Sequence, residues 1–420
     1  MDIMRVLFVN YCLPAYLHPL LERLVAKGCE IVMLLPGNDD NNIGEGVKLS
    51  DVQNISYKIR YSRSKKMWYG KHALIDLKHI IEQEQPDILL ITYPYFLHLF
   101  FDRSIIKLLN RNNIRLVIRE IPFQVPPFGK IKSYFSQRPL YNENMESKSS
   151  GILFFIKQWG LMHIRKYVYS KAAATMNYST AAYDILPSYG VDEKNIHVTY
   201  NTTDTEALIK ERSFIQTEPK ILPPNNYRLL HVGRLVKWKR VDLLIQAVKK
   251  LVNSFPTLQL VIIGDGPEKE NLIQQAIDNG IDSHILFAGG VHDPKMLGKY
   301  MNEATIYVLA GMGGLSINDA MTYGLPVVCS VCDSTERDLV RHGENGFFFK
   351  ENDVNSLVQV LDQLLRSPEL CKQMGEKSKQ IIENEINLET VTNRYYQAFK
   401  EILVINYNSA KKPIFALRKI

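Results

Sequence analysis

Residues 310–332 read A-G-M-G-G-L-S-I-N-D-A-M-T-Y-G-L-P-V-V-C-S-V-C, a glycine loop followed by a short mixed segment. Immediately before it, T-I-Y-V-L at 305–309 is β-branched and apolar, and P-V-V-C at 326–329 is apolar too. Both are expected as buried strands, with helix at 315–323 between them. Strand, glycine loop, helix and strand form the unit in which α/β proteins hold anionic ligands, at strand carboxyl ends and against a helix N-terminus. Gly311, Gly313 and Gly314 put no side chain between their N–H groups and a phosphate or sugar, and Leu315 follows them into the helix. Asp319 falls about one turn inside that helix. There its carboxylate can accept hydrogen bonds from paired hydroxyls such as those of a ribose, or stand as a solvated acid.

A chain of 420 residues is too long for one ordinary core and suits two domains of about 200 residues each. The longest apolar run, 88–101, stops at Asp102, short of the roughly 20 residues a spanning helix needs. Asp2 and Arg5 make the N-terminus a first strand rather than a signal peptide, so a cytoplasmic protein is expected. Five cysteines, an odd number, argue against a disulfide framework. Cys329 and Cys332 form a C-x-x-C pair with no second pair to complete a zinc site, which favours packing over metal or redox work. The net charge of +7 suits anionic substrates beside an anionic membrane surface, or a mildly basic soluble protein. Nucleic acid is not expected, because no helix-turn-helix, zinc finger or RNA-binding signature accompanies that charge. No carboxylate cluster suggests a divalent metal.

The chain opens as β-α-β, with strands at 5–9 and 30–35 about a helix at 17–27, the layout of a Rossmann-like half. The G-x-G-x-x-G fingerprint of dinucleotide enzymes is absent from its first loop. Helix is expected at 74–85 and strand at 87–92 and 115–118. Arg119 and Glu120 emerge at a strand's carboxyl end, where side chains face the cleft, and are acceptor-site candidates; pairing with each other is the alternative. His18 and His98 join them, with local packing as the alternative for His98. Residues 124–150, rich in Pro, Ser, Asn and Lys, read as a long mobile loop. Residues 151–169 mix Phe154, Phe155, Trp159, Tyr167 and Tyr169 with Lys157, Arg165 and Lys166. Such a segment lies at a lipid interface, grips a lipid-linked acceptor, or packs on the sheet as an ordinary helix. Strands at 174–179 and 196–200 follow, and proline and asparagine cluster at 219–226 as a linker.

The second half starts with a strand at 228–232 and continues G-R-L-V-K-W-K-R-V-D-L-L-I at 233–245. A guanidinium such as that of Arg234 binds two phosphate oxygens bidentately, and an ammonium such as that of Lys239 adds a second positive charge. A strand at 258–263 ends in G-D-G-P, where Gly264 and Gly266 let the chain turn into a helix at 268–279. Strand at 285–289 and helices at 294–302, 353–366, 369–384 and 388–405 complete the reading. The tail at 411–419 carries Lys411, Lys412, Arg418 and Lys419. It attracts anionic lipid at about 1 kcal/mol per basic residue, or is a solvated end.

The G-R-L-x-x-x-K motif, G-D-G-P, D-A-M-T-Y-G-L-P-V at 319–327 and the S-T-E to N-G-F segment at 334–347 together resemble the retaining glycosyltransferases of family 4, whose fold is GT-B. That resemblance implies two Rossmann-like domains facing across a cleft: residues 1–205 for the acceptor, 206–385 for the nucleotide-sugar, and 386–420 as a helix crossing back to the first domain plus a basic tail. It assigns Arg234 and Lys239 to the donor diphosphate as the catalytic pair. It places Gly233, Gly264, Gly266, Gly311, Gly313, Gly314, Leu315, Asp319 and Glu336 around the donor. Two positions depart from the family pattern, Gly311 where a glutamate holds the donor sugar and Arg240 where a glycine is usual. The implied function is transfer of a hexose-type sugar from a nucleotide-diphosphate donor to a glycan or lipid-linked acceptor, with retention, in surface polysaccharide assembly. No cofactor or metal is implied, and peripheral contact with the inner face of the membrane is one option. The rival readings are an inactive GT-B scaffold and a nucleotide-sugar epimerase.

Overall fold

The computed structural model describes residues 3–37, 55–120, 125–137, 140, 151–331 and 334–404. Strand β1 (Met4–Val9) runs between β2 (Cys29–Gly37) and β5 (Ile88–Thr92), parallel to both. Val6, Leu7, Phe8 and Val9 are all buried, as expected for a parallel strand covered on both faces. With β3 (Lys58–Lys66), β4 (His72–Leu74), β6 (Arg115–Arg119), β7 (Ala174–Asn177) and β8 (Ile196–Val198), they form an eight-stranded sheet in the order β4-β3-β2-β1-β5-β6-β7-β8. Its β3–β4 pairing is antiparallel. The second sheet is built from β9 (Arg228–Val232), β10 (Gln259–Ile263), β11 (Ile285–Gly289), β12 (Ile306–Leu309), β13 (Val327–Cys329) and β14 (Gly346–Phe348). Its six strands are parallel, in the order β11-β10-β9-β12-β13-β14. Strand order reverses between β1 and β5 and again between β9 and β12, which opens a crevice at the carboxyl ends of each sheet.

The helix Leu388–Val404 belongs to the first lobe although it follows the second. Leu388, Val391, Tyr395, Ala398, Phe399 and Ile402 form a stripe of helical period, packed with Met4, Val6, Phe8 and Leu20. Lys27 and Arg23 hold its first turn through Glu389, at 2.9 and 3.2 Å. Arg23 also binds Glu206 at 2.6 Å, so one arginine joins three helices.

Three sequence expectations change. The helix at 74–85 begins at Leu77, because Leu74 belongs to β4. Strands β3 and β4 had no apolar alternation to announce them: Ser62 is the one buried residue of K-I-R-Y-S-R-S-K-K. The stretch at 124–150 is not all loop. Ile131–Gln137 is a helix that buries Ile131 and Phe135, one turn apart, while 138–139 and 141–150 lie outside the described residues. The chain after Asn201 also holds the helix Thr205–Ile215, N-capped by Asp204 and packed through Ile215 on the second lobe. Cys329 is fully buried; Cys332 and the basic tail at 411–419 lie outside the described residues. Among the described residues no helix is long and apolar enough to cross a membrane.

Candidate active site in the cleft between the lobes

In the second lobe the site is made of backbone folded against backbone. β9 ends at Val232 and is followed by Gly233, whose N–H donates to Ile263 O at 3.0 Å, and Leu235 N–H donates to Asp265 O at 2.9 Å. This lays the loop after β9 on the loop after β10. A Cβ at Gly264 would lie 1.9 Å from Gly233 O, and one at Gly266 would lie 2.4 Å from Leu235 O. Both glycines also have positive φ, at +146° and +155°. The G-D-G-P motif is therefore a spacer that lets two loops touch.

Arg234 emerges from the same loop and stacks its guanidinium 5.5 Å from the Trp238 ring centre. The tight turn Lys237–Lys239 follows. Its Trp238 O accepts from Met312 N–H at 3.0 Å, which brings the 310–314 loop against it. The Lys239 ammonium, nearly buried, donates to Met312 O at 2.8 Å and Gly313 O at 2.7 Å. A Cβ at Gly311 would meet Trp238 O at 2.1 Å and the Lys239 carbonyl carbon at 2.6 Å. With the turn this close, only glycine fits at 311. At Gly314 a Cβ would sit 3.4 Å from the Lys239 ammonium, so the basic group lies directly over this loop. Arg240 takes the left-handed conformation, φ +53°, that explains a glycine at this place, and its guanidinium grips Asp242 at 3.0 Å and Asn352.

Leu315 caps the helix Ser316–Thr322. Asp319 lies on this helix and accepts from Thr203 Oγ1, in the linker from the first lobe, at 2.8 Å. Burial raises its pKa to about 6, against the lowering effect of that hydrogen bond. Glu336 is fully buried in the helix Thr335–Leu339, which starts after Ser334 at φ +70°. Sequence reading overlooked His231. It is buried in β9, with Nδ1 on Val308 O at 3.1 Å, and its Nε2 lies 3.4 Å from the place a Gly233 Cβ would take, where Lys239 Cε lies 3.7 Å away. Burial foremost pulls its pKa down to about 4, so it stays neutral beside Lys239. A histidine inside an apolar strand, two residues before Gly-Arg, was the available signal.

In the first lobe a chamber of about 1200 Å³ opens at the carboxyl ends of β1, β5 and β6, where Asn10, Thr92, Arg119 and Glu120 line it. Arg119 and Glu120 do not pair with each other. Arg119 donates to Tyr395 OH at 3.2 Å, on the crossing helix. Glu120 accepts from Arg165 Nε and Nη2 at 2.9 and 2.7 Å and from the Tyr169 hydroxyl, all three residues buried. Burial, then the Glu120 carboxylate, raises the Tyr169 pKa. Arg165 and Tyr169 come from a distant helix, Ile152–Tyr169, so only the fold unites them with Glu120. His18 and His98 do not line the chamber: His18 bonds Tyr57 OH at 2.9 Å, and His98 sits behind Tyr69, 3.2 Å from its hydroxyl, its pKa lowered by burial. Asn201 lines the chamber beside the Thr203 that reaches Asp319, so the chamber leads toward the glycine loop.

Comparison with known proteins bears on both lobes. Residues 214–381 match the family model for glycosyl transferases group 1. An uncharacterized glycosyltransferase of Haemophilus influenzae is 33% identical over 168 residues, which are 39% of this chain and 47% of that protein. A lipopolysaccharide core biosynthesis glycosyltransferase of Rhizobium meliloti is 25% identical over 209 residues, 49% of this chain and 58% of that protein. The chain thus aligns with about half the length of these relatives. The structure of Anabaena HepE in complex with UDP superposes with a TM-score of 0.65 at 16% identity, over 95% of this chain and all of that one. The chain therefore has the GT-B fold throughout, and residues 214–381 of its second lobe are similar to the glycosyl transferases group 1.

Proposed function

We propose that the protein is a retaining glycosyltransferase of family 4 that moves a hexose-type sugar from a nucleotide-diphosphate donor to a glycan or lipid-linked acceptor. The second lobe, residues 206–385, takes the donor, the first lobe, 1–205, takes the acceptor, and 386–420 ties them. The observation that carries this reading is the placement of Arg234 and Lys239 beside the glycine loop at the switch point of the second sheet. Two cations there meet the negative charge that grows on a diphosphate as it leaves, where fixed electrostatics contribute most. The acceptor oxygen bonds to the anomeric carbon as the carbon–oxygen bond to the diphosphate breaks, on the same face, and the hydroxyl proton leaves with the diphosphate. Asp319 holds the ribose, and Gly313 and Gly314 offer backbone to the donor. With Gly311 replacing the family's glutamate, the donor sugar is held by loop backbone. Because two protein cations serve the diphosphate, the reaction needs no metal and no cofactor. The relatives in lipopolysaccharide and polymer glycosylation support surface polysaccharide assembly as the setting, in the cytoplasm or on the inner face of the membrane.

Calorimetric titration of UDP, GDP and ADP in EDTA, with Arg234→Ala in parallel, tests the donor site. Selective binding of one nucleotide that the variant loses supports the reading, and the bound UDP of the Anabaena relative makes UDP the first choice. Binding of none, with intact nucleotide-sugars failing too, favours an inactive scaffold. Proton NMR of the product's anomeric signal then tests retention and separates transfer from epimerisation.

A further inference from the structure

We infer that the first-lobe chamber takes an acceptor whose sugar is carried on a long apolar chain, drawn from an anionic membrane on which the chamber's rim docks. This rests on the transferase reading and specifies its acceptor. The chamber, at about 1200 Å³, exceeds the roughly 300–1,000 Å³ of ordinary small-molecule sites. Its lining has two sources. The strand ends and linker bring the polar Asn10, Thr92, Arg119 and Asn201, whereas the helices bring Phe100, Phe101, Phe154, Leu161 and Ile164 around the paired Arg165 and Glu120. A head group seated on the first set leaves its chain against the second.

The apolar set adjoins side chains that a soluble fold would normally cover. Trp68 is 82% exposed, Ile152 78%, Leu153 76%, Ile156 59% and Trp159 59%. Trp68 stands edge-on to Phe101 at 5.2 Å, and Phe101 stacks on Tyr69 at 4.2 Å, so the rim is continuous with the wall. The helix Ile152–Tyr169 shows the same division. Its later turns bury Met162, Arg165, Val168 and Tyr169, while its first turns hold the bare Ile152, Leu153 and Ile156. Contiguous exposed apolar surface marks an interaction site. A water-soluble glycan can stack on aromatic rings, yet it gains nothing from bare isoleucine and leucine beyond the chamber wall.

Charge selects the partner. Residues 58–71 and 151–169, which supply the rim, hold six and three basic residues and no Asp or Glu; Lys58, Arg60 and Arg63 pair with Glu84 and Asp76. Lys65, Lys66 and Lys157 are exposed among the apolar groups. Two of the three tryptophans of the chain, Trp68 and Trp159, sit on this rim, the position tryptophan favours at a membrane–water boundary. Aromatic and aliphatic groups beside the exposed Lys65, Lys66 and Lys157 complement an anionic bilayer.

The test is co-sedimentation of the full chain with vesicles of phosphatidylglycerol and phosphatidylcholine, against phosphatidylcholine alone. The expected result is binding to the anionic vesicles, weakened at least about tenfold in Trp68→Ser/Leu153→Ser/Trp159→Ser and weakened also in Lys65→Glu/Lys66→Glu. Farnesyl diphosphate, titrated without vesicles, probes the chamber and should quench tryptophan fluorescence in the wild type. Nucleotide calorimetry on the same variants shows that each folds and keeps its donor site. Absence of wild-type binding to anionic vesicles, or unchanged binding by the triple variant, overturns the inference. Loss of nucleotide binding by the wild type instead overturns the transferase reading.

Discussion

The two lobes build their halves of the cleft from different materials. Around Lys239 the surface is backbone on backbone, with Gly264, Gly266 and Gly311 standing where a single added carbon would strike a neighbouring backbone. Around Glu120 it is side chain on side chain, aromatic rings about one buried ion pair. A glycine-spaced site tolerates almost no substitution and so keeps its residues in short motifs. A side-chain chamber can be rebuilt from many combinations of similar volume.

This contrast can be broken by variants that act on one half alone. Glu120→Ala has the largest expected effect, about 3–5 kcal/mol of stability in urea unfolding, because it strands the buried Arg165 guanidinium. If nucleotide binding by the folded variant is unchanged, the halves are independent; if it fails, they are not. Arg234→Ala should leave stability near wild type and lower transfer about 100- to 1,000-fold, read in a donor-consumption assay. Wild-type activity in that variant would sink the assignment. Gly311→Ala should cost about 1–3 kcal/mol in thermal unfolding and weaken nucleotide binding, since the Trp238–Lys239 turn must retreat.

A smaller effect comes from pH. Asp319 titrates at about 6 in the fold, above the ordinary aspartate value, so folding takes up a proton between about pH 4 and 6. The cost of burying this carboxylate is therefore present above pH 6 and relieved as pH falls through it. Nucleotide affinity should move the other way, dropping below about pH 6 if the carboxylate receives the ribose hydroxyls. Calorimetry from pH 5 to 8 should show that drop in the wild type and not in Asp319→Asn. The smallest change is Arg240→Gly. Relief of a left-handed arginine, about 1 kcal/mol, is offset by loss of its contacts with Asp242 and Asn352, and the melting temperature should hardly move.

Much of the second lobe was legible. The strands at 228–232 and 285–289 and the helix at 294–302 lie where apolar runs and a proline at the first helical turn put them. The first lobe was harder: β3 carries five lysines and arginines in nine residues and no apolar stripe, because it is held by pairing and ion pairs such as Arg63–Asp76. Periodicity reports burial, and where little is buried it is silent.

The sequence by itself determined the alternation of strands and helices, the division into two lobes, and the cations and glycines of the loops after β9 and β12. These are local matters, set by hydrophobic period and by the conformations glycine allows. Tertiary structure alone decided that Arg165 and not Arg119 pairs with Glu120, that Thr203 reaches Asp319, and that the Trp238 carbonyl takes the space a side chain at 311 would need. Each of these joins residues far apart in the chain, and their partnership depends on distances that no local pattern encodes.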